Sequence, residues 1–501
     1  MKLISSQNYL PVLIVSLVLL WGCKQPETVV IEDAPTASAP ADTTEEYPTG
    51  DDNSDFRKLV IGEYQSITSF DPLLADNGAT MRALQLIYEG LVRLDSNGNT
   101  VPAVAKNWEV SNDSLTYTFT LNQNIYYHDS EVFSTGTGRR LTAQDVKFVF
   151  ERMAKAGNPS TAAKLFWNIK GFEPYYQEQH NVYEPEKRTL SEVSGIQTPN
   201  DSTVVFELHE EDPQFLEKLA TPYALIYPRE AVNNTQKSFA PVGSGPFTLS
   251  SQRADSGYIF AKSQKYHAYK TIRLNRVDIL TSSSESNLIR QMASGNIHLL
   301  PEIGPNIIQN FATDAGTLKA GFNDRYTLTK RNNPIEITLR FNPNTDITEE
   351  DAERISRLTY ANTSSYFEQL PDPIVAVDST ENQQPSDTTI TEENLYAVFS
   401  DDPFIRTYLG NLSKILNRQG VNLEMTKFRI PTRNTELWVT QHASFINEDK
   451  DKLNNNYPVV FRFRVYPTAL QRNEITGLNF NQYGWWLNLR GVSLPTADKL
   501  N

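Results

Sequence analysis

The chain has 501 residues, a net charge of -14 and one cysteine. This length is enough for two or three domains with substantial cores. The acidic balance argues against nucleic-acid binding, which needs clustered basic residues to replace counterions, and the single cysteine excludes an intramolecular disulfide.

The first 22 residues have the pattern of an export signal. A lysine near the start precedes an apolar stretch at 9–20 that is too short to cross a bilayer comfortably. The four residues ending in Cys23 resemble a lipoprotein processing site, in which the cysteine becomes the lipidated first residue, although Trp21 stands where such sites have a small residue. We therefore predict a signal peptide at 1–22 and a lipid anchor at Cys23. The alternative is an unmodified thiol in a signal helix.

Residues 24–56 are rich in Pro, Thr, Ala, Asp and Glu and lack apolar periodicity. Such a segment cannot bury enough apolar surface to order itself. We predict that residues 23–56 form a disordered, lipid-anchored tether. Each buried acyl methylene contributes about 0.8 kcal/mol, so several acyl chains on one cysteine would hold the protein on a membrane without a spanning helix.

The segment after the tether begins with strand, loop and helix signals. Residues 59–64 are mostly apolar and predict a strand that delivers a loop carrying Asp71-Pro72. A helix follows this loop, and it is predicted by the i, i+3, i+4, i+7 spacing of Leu84, Ile87, Tyr88 and Leu91. Gly90 fits the left-handed residue just past the end of this helix.

Two further elements have clear local signals. Residues 115–121 alternate between large apolar residues and threonine, which predicts a half-buried strand. Thr142 and Asp145 have capping-box spacing at the start of a second helix. The apolar face of this helix consists of Val146, Val149, Phe150 and Met153.

The second half of the chain contains more mixed signals. Residues 272–300 have the order strand, helix, strand of a βαβ-like unit. A helix is predicted at 403–419, with Gly420 as its stop. Residues 371–393 are acidic, Thr-rich and poor in apolar groups, and predict an exposed loop. The adjacent Trp485 and Trp486 would face opposite sides of a strand, which predicts one buried and one partly exposed indole.

Several motifs in the chain occur in the same order in a known family. They lie at 69–72, 87–92, 102–113, 116–121, 127–130 and 141–146, with later matches at 240–249 and 339–342. In these motifs the chain resembles the extracellular solute-binding proteins of the oligopeptide- and dipeptide-binding type, the family 5 substrate-binding lipoproteins of ABC transporters. At the end of the βαβ-like unit, His298 replaces the aspartate that is usual in this family.

The resemblance implies an α/β protein with a bilobed periplasmic-binding-protein-like fold, mixed sheets and an interlobe cleft. We expect the larger lobe to combine residues 57–270 and 468–501, and the smaller lobe to hold residues 271–467. The implied function is to capture a peptide or similar polar solute between the lobes and to deliver it to a membrane permease. The protein would be a periplasmic or cell-surface, membrane-anchored monomer.

The family places the loop after the first strand at the mouth of the cleft. The predicted ligand-binding residues are therefore Ser66, Ser69, Phe70, Asp76 and Asn77 in this loop, and Arg340 and Asn342 on the strand of the later L-x-F-N motif. Arg340 is able to form a bidentate pair with a ligand carboxylate. The alternative is that Arg340 caps a structural carboxylate or is solvated.

The chain also departs from its family. Only residues 426–447 separate a predicted strand from the passage that resembles the family's final segment. The aspartate that pairs with the amino terminus of the ligand in peptide binders therefore has no identifiable counterpart. The alternative is that the protein is a degenerate family member, which serves as a surface interaction protein without solute transport.

A third alternative is that the protein is an enzyme, namely a hydrolase that uses carboxylates for catalysis. A close pair of carboxylates with a perturbed pKa would favour it. The six histidines show no i, i+3 or i+4 pairing that would predict a metal site. The sequence therefore predicts no enzymatic activity, no metal and no cofactor.

Overall fold

The computed structural model describes residues 57–495, apart from gaps at 234–237, 254–256, 310–311, 314–315, 342–347, 368–374, 378–392, 400–402, 428–435 and 444–458. The predicted signal peptide, Cys23 and the tether lie outside the described residues. Within the described part of the chain, no helix combines the length and the apolar character needed to span a membrane.

The described residues form strands and helices that we number in chain order. The strands are β1 Lys58–Glu63, β2 Val92–Leu94, β3 Thr100–Pro102, β4 Ala105–Val110, β5 Thr116–Leu121, β6 Ile196–Asn200, β7 Thr203–Glu207, β8 Val232–Asn233, β9 Ser238–Phe239, β10 Phe247–Arg253, β11 Gly257–Lys262, β12 Arg276–Thr281, β13 Leu299–Leu300, β14 Tyr326–Lys330, β15 Ile335–Phe341, β16 Val375–Val377, β17 Glu393–Phe399, β18 Val421–Lys427, β19 Glu436–Ala443, β20 Val459–Val465 and β21 Thr468–Arg472. The α-helices are α1 Gly78–Ile87, α2 Ala143–Met153, α3 Ser160–Lys164, α4 Phe172–Asn181, α5 Phe215–Leu219, α6 Glu285–Ala293, α7 Pro305–Ile308, α8 Glu349–Phe367 and α9 Pro403–Asn417. Short 3-10 helices cover Pro72–Leu74, Pro185–Lys187, Pro222–Ala224, Arg229–Ala231 and Tyr269–Thr271.

A seven-stranded sheet has the order β10-β11-β12-β1-β13-β21-β14. β1 pairs in parallel with β12, with Lys58 opposite Arg276, and in parallel with β13. Helix α6 connects β12 to β13. The predicted βαβ-like unit is therefore confirmed, and its two strands lie on either side of β1.

A four-stranded sheet, in the order β4-β5-β7-β6, contributes buried residues to the same hydrophobic core as the seven-stranded sheet. On β5, Tyr117, Phe119 and Leu121 are buried, as the alternation predicts. Helix α2 begins with the predicted capping box, because the carboxylate of Asp145 accepts a hydrogen bond from the backbone N–H of Thr142 at 2.9 Å.

A six-stranded sheet, in the order β16-β20-β15-β19-β17-β18, contains the remaining long strands. One face of β15 and β20 packs with α8 and α9 into a separate core. The members of this core on these four elements are Ile337, Leu339, Phe341, Ala352, Ile355, Ile405, Tyr408, Leu409, Leu412, Leu416, Phe461 and Phe463. The predicted helix at 403–419 is confirmed as α9, which ends at Asn417.

Within the described residues, the chain passes between the seven- and six-stranded sheets twice. Residues 331–334 lead from β14 to β15, and residues 466–467 lead from β20 back to β21. Strands β12, β13 and β14 pair within the sheet that holds β1. The sequence-based border at residue 271 therefore falls within the seven-stranded sheet, whereas the chain leaves this sheet at residue 331.

The predicted role of Gly90 is wrong for a steric reason. Gly90 does not have a positive φ, since α1 ends at Ile87 and Tyr88 is already extended. A Cβ at Gly90 would instead lie 3.0 Å from the carbonyl oxygen of Val92 and 3.1 Å from that of Leu219. Glycine is therefore needed here for the close approach of backbone, not for a left-handed turn.

The tryptophan pair and the predicted loop also differ from expectation. Trp485 and Trp486 are 5% and 3% exposed, because the segment is not a strand and both indoles turn inward. Trp486 donates its indole N–H to the carbonyl oxygen of Leu94 at 3.1 Å.

Within 371–393, Val375–Val377 forms β16 and pairs with β20, so part of the expected loop extends the sheet. Residues 371–374 and 378–392 lie outside the described residues.

Candidate ligand-binding site

Both connections between the two large sheets leave from one edge of the seven-stranded sheet. Strand β21 is antiparallel to β13 and to β14, so β14 runs in the same direction as β13 and β1. The carboxyl ends of these parallel strands, with that of β12, therefore lie at one edge, which we call the crossover edge. It is formed by Glu63, Thr281, Leu300 and Lys330. Ligands of open α/β sheets bind in the crevice outside the carboxyl ends of strands.

The loop that follows β1 at this edge is closed by its own hydrogen bonds. Asn77 is the N-cap of α1, and its side-chain oxygen accepts from the backbone N–H of Thr80 at 2.9 Å. Its amide nitrogen donates to the carbonyl oxygen of Ser66 at 3.1 Å. The carboxylate of Asp76 accepts from the hydroxyl of Thr68 at 2.6 Å. The structure therefore brings Ser66, Asp76 and Asn77 together, with Ser66 and Asp76 exposed to solvent.

Ser69 and Phe70 have structural contacts in the same loop. The hydroxyl oxygen of Ser69 accepts from the backbone N–H of Asp71 at 3.0 Å. Phe70 packs edge-on against Tyr258, with ring centroids 5.3 Å apart. The Asp71 carboxylate pairs with Arg152 of α2, where one of the N–H···O distances is 2.8 Å. The Asp-Pro motif thus fixes the loop to α2.

Below the loop, Glu63 and Arg82 form a buried ion pair at the end of β1. The Glu63 carboxylate accepts from the Nε of Arg82 at 2.8 Å and from its Nη2 at 2.5 Å, and each side chain is 1% exposed. Arg82 also donates to the carbonyl oxygen of Gly484 at 2.7 Å and lies 3.4 Å from the Glu302 carboxylate. Burial opposes the charge on Arg82, but the Glu63 carboxylate raises the pKa of Arg82 above its usual range, so Arg82 remains charged.

Arg331, the first residue after β14, joins this charge cluster. It is 1% exposed, and its Nη1 donates to the carbonyl oxygen of Tyr483 at 2.6 Å and to that of Gly484. Its Nη2 donates to the carbonyl oxygen of Pro301 at 3.3 Å. Burial and then the neighbouring charge of Arg82 lower the pKa of Arg331 to about 9. The cluster of Glu63, Arg82, Glu302 and Arg331 balances two cations with two anions at the crossover edge.

No local sequence pattern predicts this cluster. The available signal was Glu63, a carboxylate at the end of an otherwise apolar strand. Such a group is almost never fully buried without a partner. The partners come from residues 82, 302 and 331, and local periodicity does not link them.

Arg340 lies on the other large sheet. On β15, Glu336, Thr338 and Arg340 alternate with the residues that pack against α8 and α9, so they occupy the opposite face. On this face Arg462 and Arg464 of β20 lie 3.5 and 3.8 Å from the Glu336 carboxylate. We call Glu336, Arg340, Arg462 and Arg464 the cationic face, since three arginines accompany one glutamate.

Arg340 itself is 6% exposed. Burial and then the charge of Arg462 lower its pKa from the usual range. It lies on a different sheet from the loop at 66–77, and Asn342 lies outside the described residues. Within the part of the chain that the structure describes, no group of three or more His, Cys, Asp and Glu residues could hold a metal ion.

The chain is similar to known proteins in sequence and in fold. A model of the family described as bacterial extracellular solute-binding proteins, family 5 middle, matches residues 99–354, just over half of the chain. The chain is 27% identical to the dipeptide-binding protein DppE of Bacillus subtilis over 243 residues, which are 48% of this chain and 42% of DppE. It is 28% identical to the dipeptide-binding protein of Escherichia coli over 279 residues, which are 50% of this chain and 49% of that protein. The matched segments thus span about half the length of these curated relatives.

A solved structure of Listeria monocytogenes OppA bound to peptide has a TM-score of 0.66 to this chain at 15% identity. The alignment covers 88% of this chain and 99% of that one. This likeness confirms the predicted mixed α/β, periplasmic-binding-protein-like fold. Together with the family model, it establishes that the chain belongs to the bacterial extracellular solute-binding proteins of family 5.

Proposed function

We propose that this protein captures a peptide or similar polar solute between two lobes and delivers it to the permease of an ABC transporter. The larger lobe would consist of residues 57–330 and 468–495, built on the seven-stranded sheet, and the smaller lobe of residues 335–465, built on the six-stranded sheet. The observation that carries the proposal is that both connections between these sheets leave from the crossover edge. Two short connections at one edge form a hinge beside the place where such sheets bind ligands.

The mechanism is closure of the lobes about residues 331–334 and 466–467. Ligand contacts with both lobes stabilise the closed state relative to the open one, and only this difference in affinity shifts the equilibrium. The buried charge cluster fixes the larger-lobe side of the hinge, since Arg331 is held by the carbonyl oxygens of Pro301, Tyr483 and Gly484. Movement therefore occurs on the smaller-lobe side of Arg331.

The ligand groups follow from the chemistry of the two lobes. Ser66 and Asp76 are exposed polar residues of the loop at the crossover edge, as is Thr68, whose hydroxyl donates to Asp76. Ser69, Phe70 and Asn77 shape this loop through the contacts described above. On the smaller lobe, Arg340 of the cationic face pairs with a carboxylate of the ligand, because a guanidinium matches a carboxylate in bidentate geometry. Asn342 belongs to the same proposed group of binding residues.

Membrane attachment is part of the same proposal. Residues 1–22 act as a signal peptide, Cys23 carries the lipid anchor, and residues 24–56 act as the tether. The support is the apolar stretch before Cys23 and the Pro- and Thr-rich composition after it. The protein works as a monomer at the cell surface or in the periplasm, where a tethered binding protein meets both its solute and its permease. The relatives support a peptide ligand, since those from Bacillus subtilis and Escherichia coli are dipeptide-binding proteins.

Mass spectrometry of solutes that co-purify with the full-length chain tests the proposal. The protein is exposed to a defined mixture of di- and tripeptides, washed and denatured, and the released solutes are identified. We expect retention of a subset of peptides by the wild type and reduced retention by Arg340→Gln. Retention of no solute by the folded wild type would favour the interaction protein without solute transport.

A further inference from the structure

A cavity lies at the far end of α1 from the crossover edge. It has room for about 80 Å³ of solvent, which is space for several water molecules or a small organic molecule. Helix α1 begins near the crossover edge, where Arg82 reaches Glu63, and its last turn lines this cavity. We call it the α1 cavity, and define it by Tyr88, Glu89, Arg93, Trp485, Trp486 and Arg490.

One carboxylate in the wall of the α1 cavity is fully engaged by its neighbours. Glu89 accepts hydrogen bonds from the Nη2 of Arg490 at 3.1 Å, the hydroxyl of Tyr266 at 3.2 Å and the Nε2 of His267 at 3.0 Å. Arg490 also donates its Nε to the Tyr266 hydroxyl at 3.0 Å. The charge of Glu89 is therefore balanced by Arg490.

Arg93, on β2, supplies a second cation to the same cavity. It forms no hydrogen bond or ion pair with any residue that the structure describes, and its Nε is buried. Burial and then the charge of Arg490 lower its pKa to about 10, which leaves Arg93 charged at neutral pH. The Arg93 side chain is partly exposed, but its buried Nε has no hydrogen-bond acceptor, and a polar atom that is taken out of water without a partner is costly. The cavity thus contains one positive charge more than its Glu89 neutralises.

Much of the rest of the wall is apolar, although Gln85 and Asn488 also line it. The apolar part includes Leu86, Leu225 and Ile272 in addition to the two indoles. An inorganic anion would satisfy Arg93 but would leave this apolar surface unmatched. A small organic acid satisfies both, since its carboxylate reaches the guanidinium and its hydrocarbon part covers the indoles and leucines.

We propose that the α1 cavity is a second ligand site, which binds a small organic carboxylate through Arg93 and its hydrocarbon part through the apolar wall. This site is separate from the proposed solute site between the lobes and does not depend on it. Its ligand is a monoanion with a short branched or aromatic group.

Titration calorimetry on the full-length chain tests the proposal with isovalerate as the probe and isovaleramide as its neutral match. We expect isovalerate to bind with a Kd below about 10 mM, and the amide at least about tenfold more weakly. Arg93→Gln and Arg93→Met should each weaken isovalerate binding by at least about tenfold, which is about 1.4 kcal/mol. The matched control is Arg290→Gln, an exposed arginine on α6, which should bind isovalerate as the wild type does.

Each other outcome contradicts the proposal. No binding of isovalerate to the wild type would remove the site, and equal binding of acid and amide would remove the role of charge. An equal loss in Arg93→Gln and Arg290→Gln would show a general anion effect. Thermal unfolding checks the fold of the variants: because Arg93 has no partner among the described residues, its replacement should not lower the melting temperature. A large decrease in both Arg93 variants would show that Arg93 is a structural residue instead.

Discussion

The backbone N–H of Arg331 donates to the carbonyl oxygen of Pro467 at 2.9 Å, and this hydrogen bond joins the two connections between the large sheets. A cation–π contact between Lys330 and Tyr466, with the ammonium 4.4 Å from the ring centroid, lies beside it. The two connections are therefore held together at the point where they leave the seven-stranded sheet. The backbone N–H of Asn333 also donates to the carbonyl oxygen of Gln482 at 3.1 Å, so the first connection is held to the C-terminal segment as far as residue 333.

The first prediction concerns the buried pair of Glu63 and Arg82. Arg82→Met leaves the Glu63 carboxylate buried without its partner, and should lower the free energy of unfolding by about 3–5 kcal/mol. The double variant Glu63→Leu with Arg82→Met should recover much of this loss, since neither charge remains. Urea denaturation followed by tryptophan fluorescence measures both effects.

The control for this pair is Arg140→Met. Arg140 pairs with Asp201 on the surface, where the side chains are 40% and 70% exposed. Loss of such a pair should change the free energy of unfolding by no more than about 1 kcal/mol. If the two single variants are equally stable, the cluster at the crossover edge does not hold the larger lobe together.

The second prediction is a pH dependence that arises from His298. Its Nδ1 accepts a hydrogen bond from the backbone N–H of Val60 at 3.0 Å, so the folded state needs this nitrogen unprotonated. Burial, followed by the charges of Arg472 and Lys58, lowers the pKa of His298 from 6.5 to about 4. The unfolded chain therefore binds more protons between these values, and stability falls as the pH decreases through this window.

The variant that tests this dependence is His298→Asn, whose amide oxygen could accept the same hydrogen bond and does not titrate. Between pH 7 and pH 5 the wild type should lose about 2 kcal/mol more than the variant in free energy of unfolding. Urea denaturation at the two pH values measures this difference. Parallel losses in both proteins would assign the pH dependence to other groups.

The third prediction tests the proposed ligand contact of Arg340. Once a ligand is identified by mass spectrometry, Arg340→Gln should weaken its binding by roughly 2–5 kcal/mol, because a charged hydrogen bond within a closed cleft is lost. Titration calorimetry measures the change. The control is Arg357→Gln on α8, which pairs with Glu353 and lies across the sheet from the cationic face. An unchanged dissociation constant in folded Arg340→Gln would remove Arg340 from the site.

The fourth prediction concerns Cys23. Cys23→Ala removes the only thiol that could be acylated, so the protein should appear in the soluble fraction or remain at its unprocessed size. Membrane fractionation followed by immunoblotting measures both outcomes. Cys23→Ser serves as a second variant with a similar volume. A variant that remains on the membrane at the normal processed size would contradict the lipid anchor.

Local signals in the sequence were sufficient for the family, the fold class and many elements. The capping box at Thr142 and Asp145 and the alternation along β5 involve neighbours within a few residues, and both are confirmed. The βαβ-like unit at 272–300 is equally local. These features depend on the backbone periods of 3.6 and 2 residues, which the sequence displays directly.

Sheet membership and the buried charges were decided only by the tertiary structure. β14 pairs with β21 across more than a hundred residues, so the chain stays in the seven-stranded sheet as far as residue 330. Glu63, Arg82, Glu302 and Arg331 come from four separate parts of the chain, so no spacing predicts their contact. The inward position of both Trp485 and Trp486 likewise follows from packing against α1 and β2. Burial of a charge or an indole is set by partners that are distant in sequence, and single-residue periodicity carries no information about them.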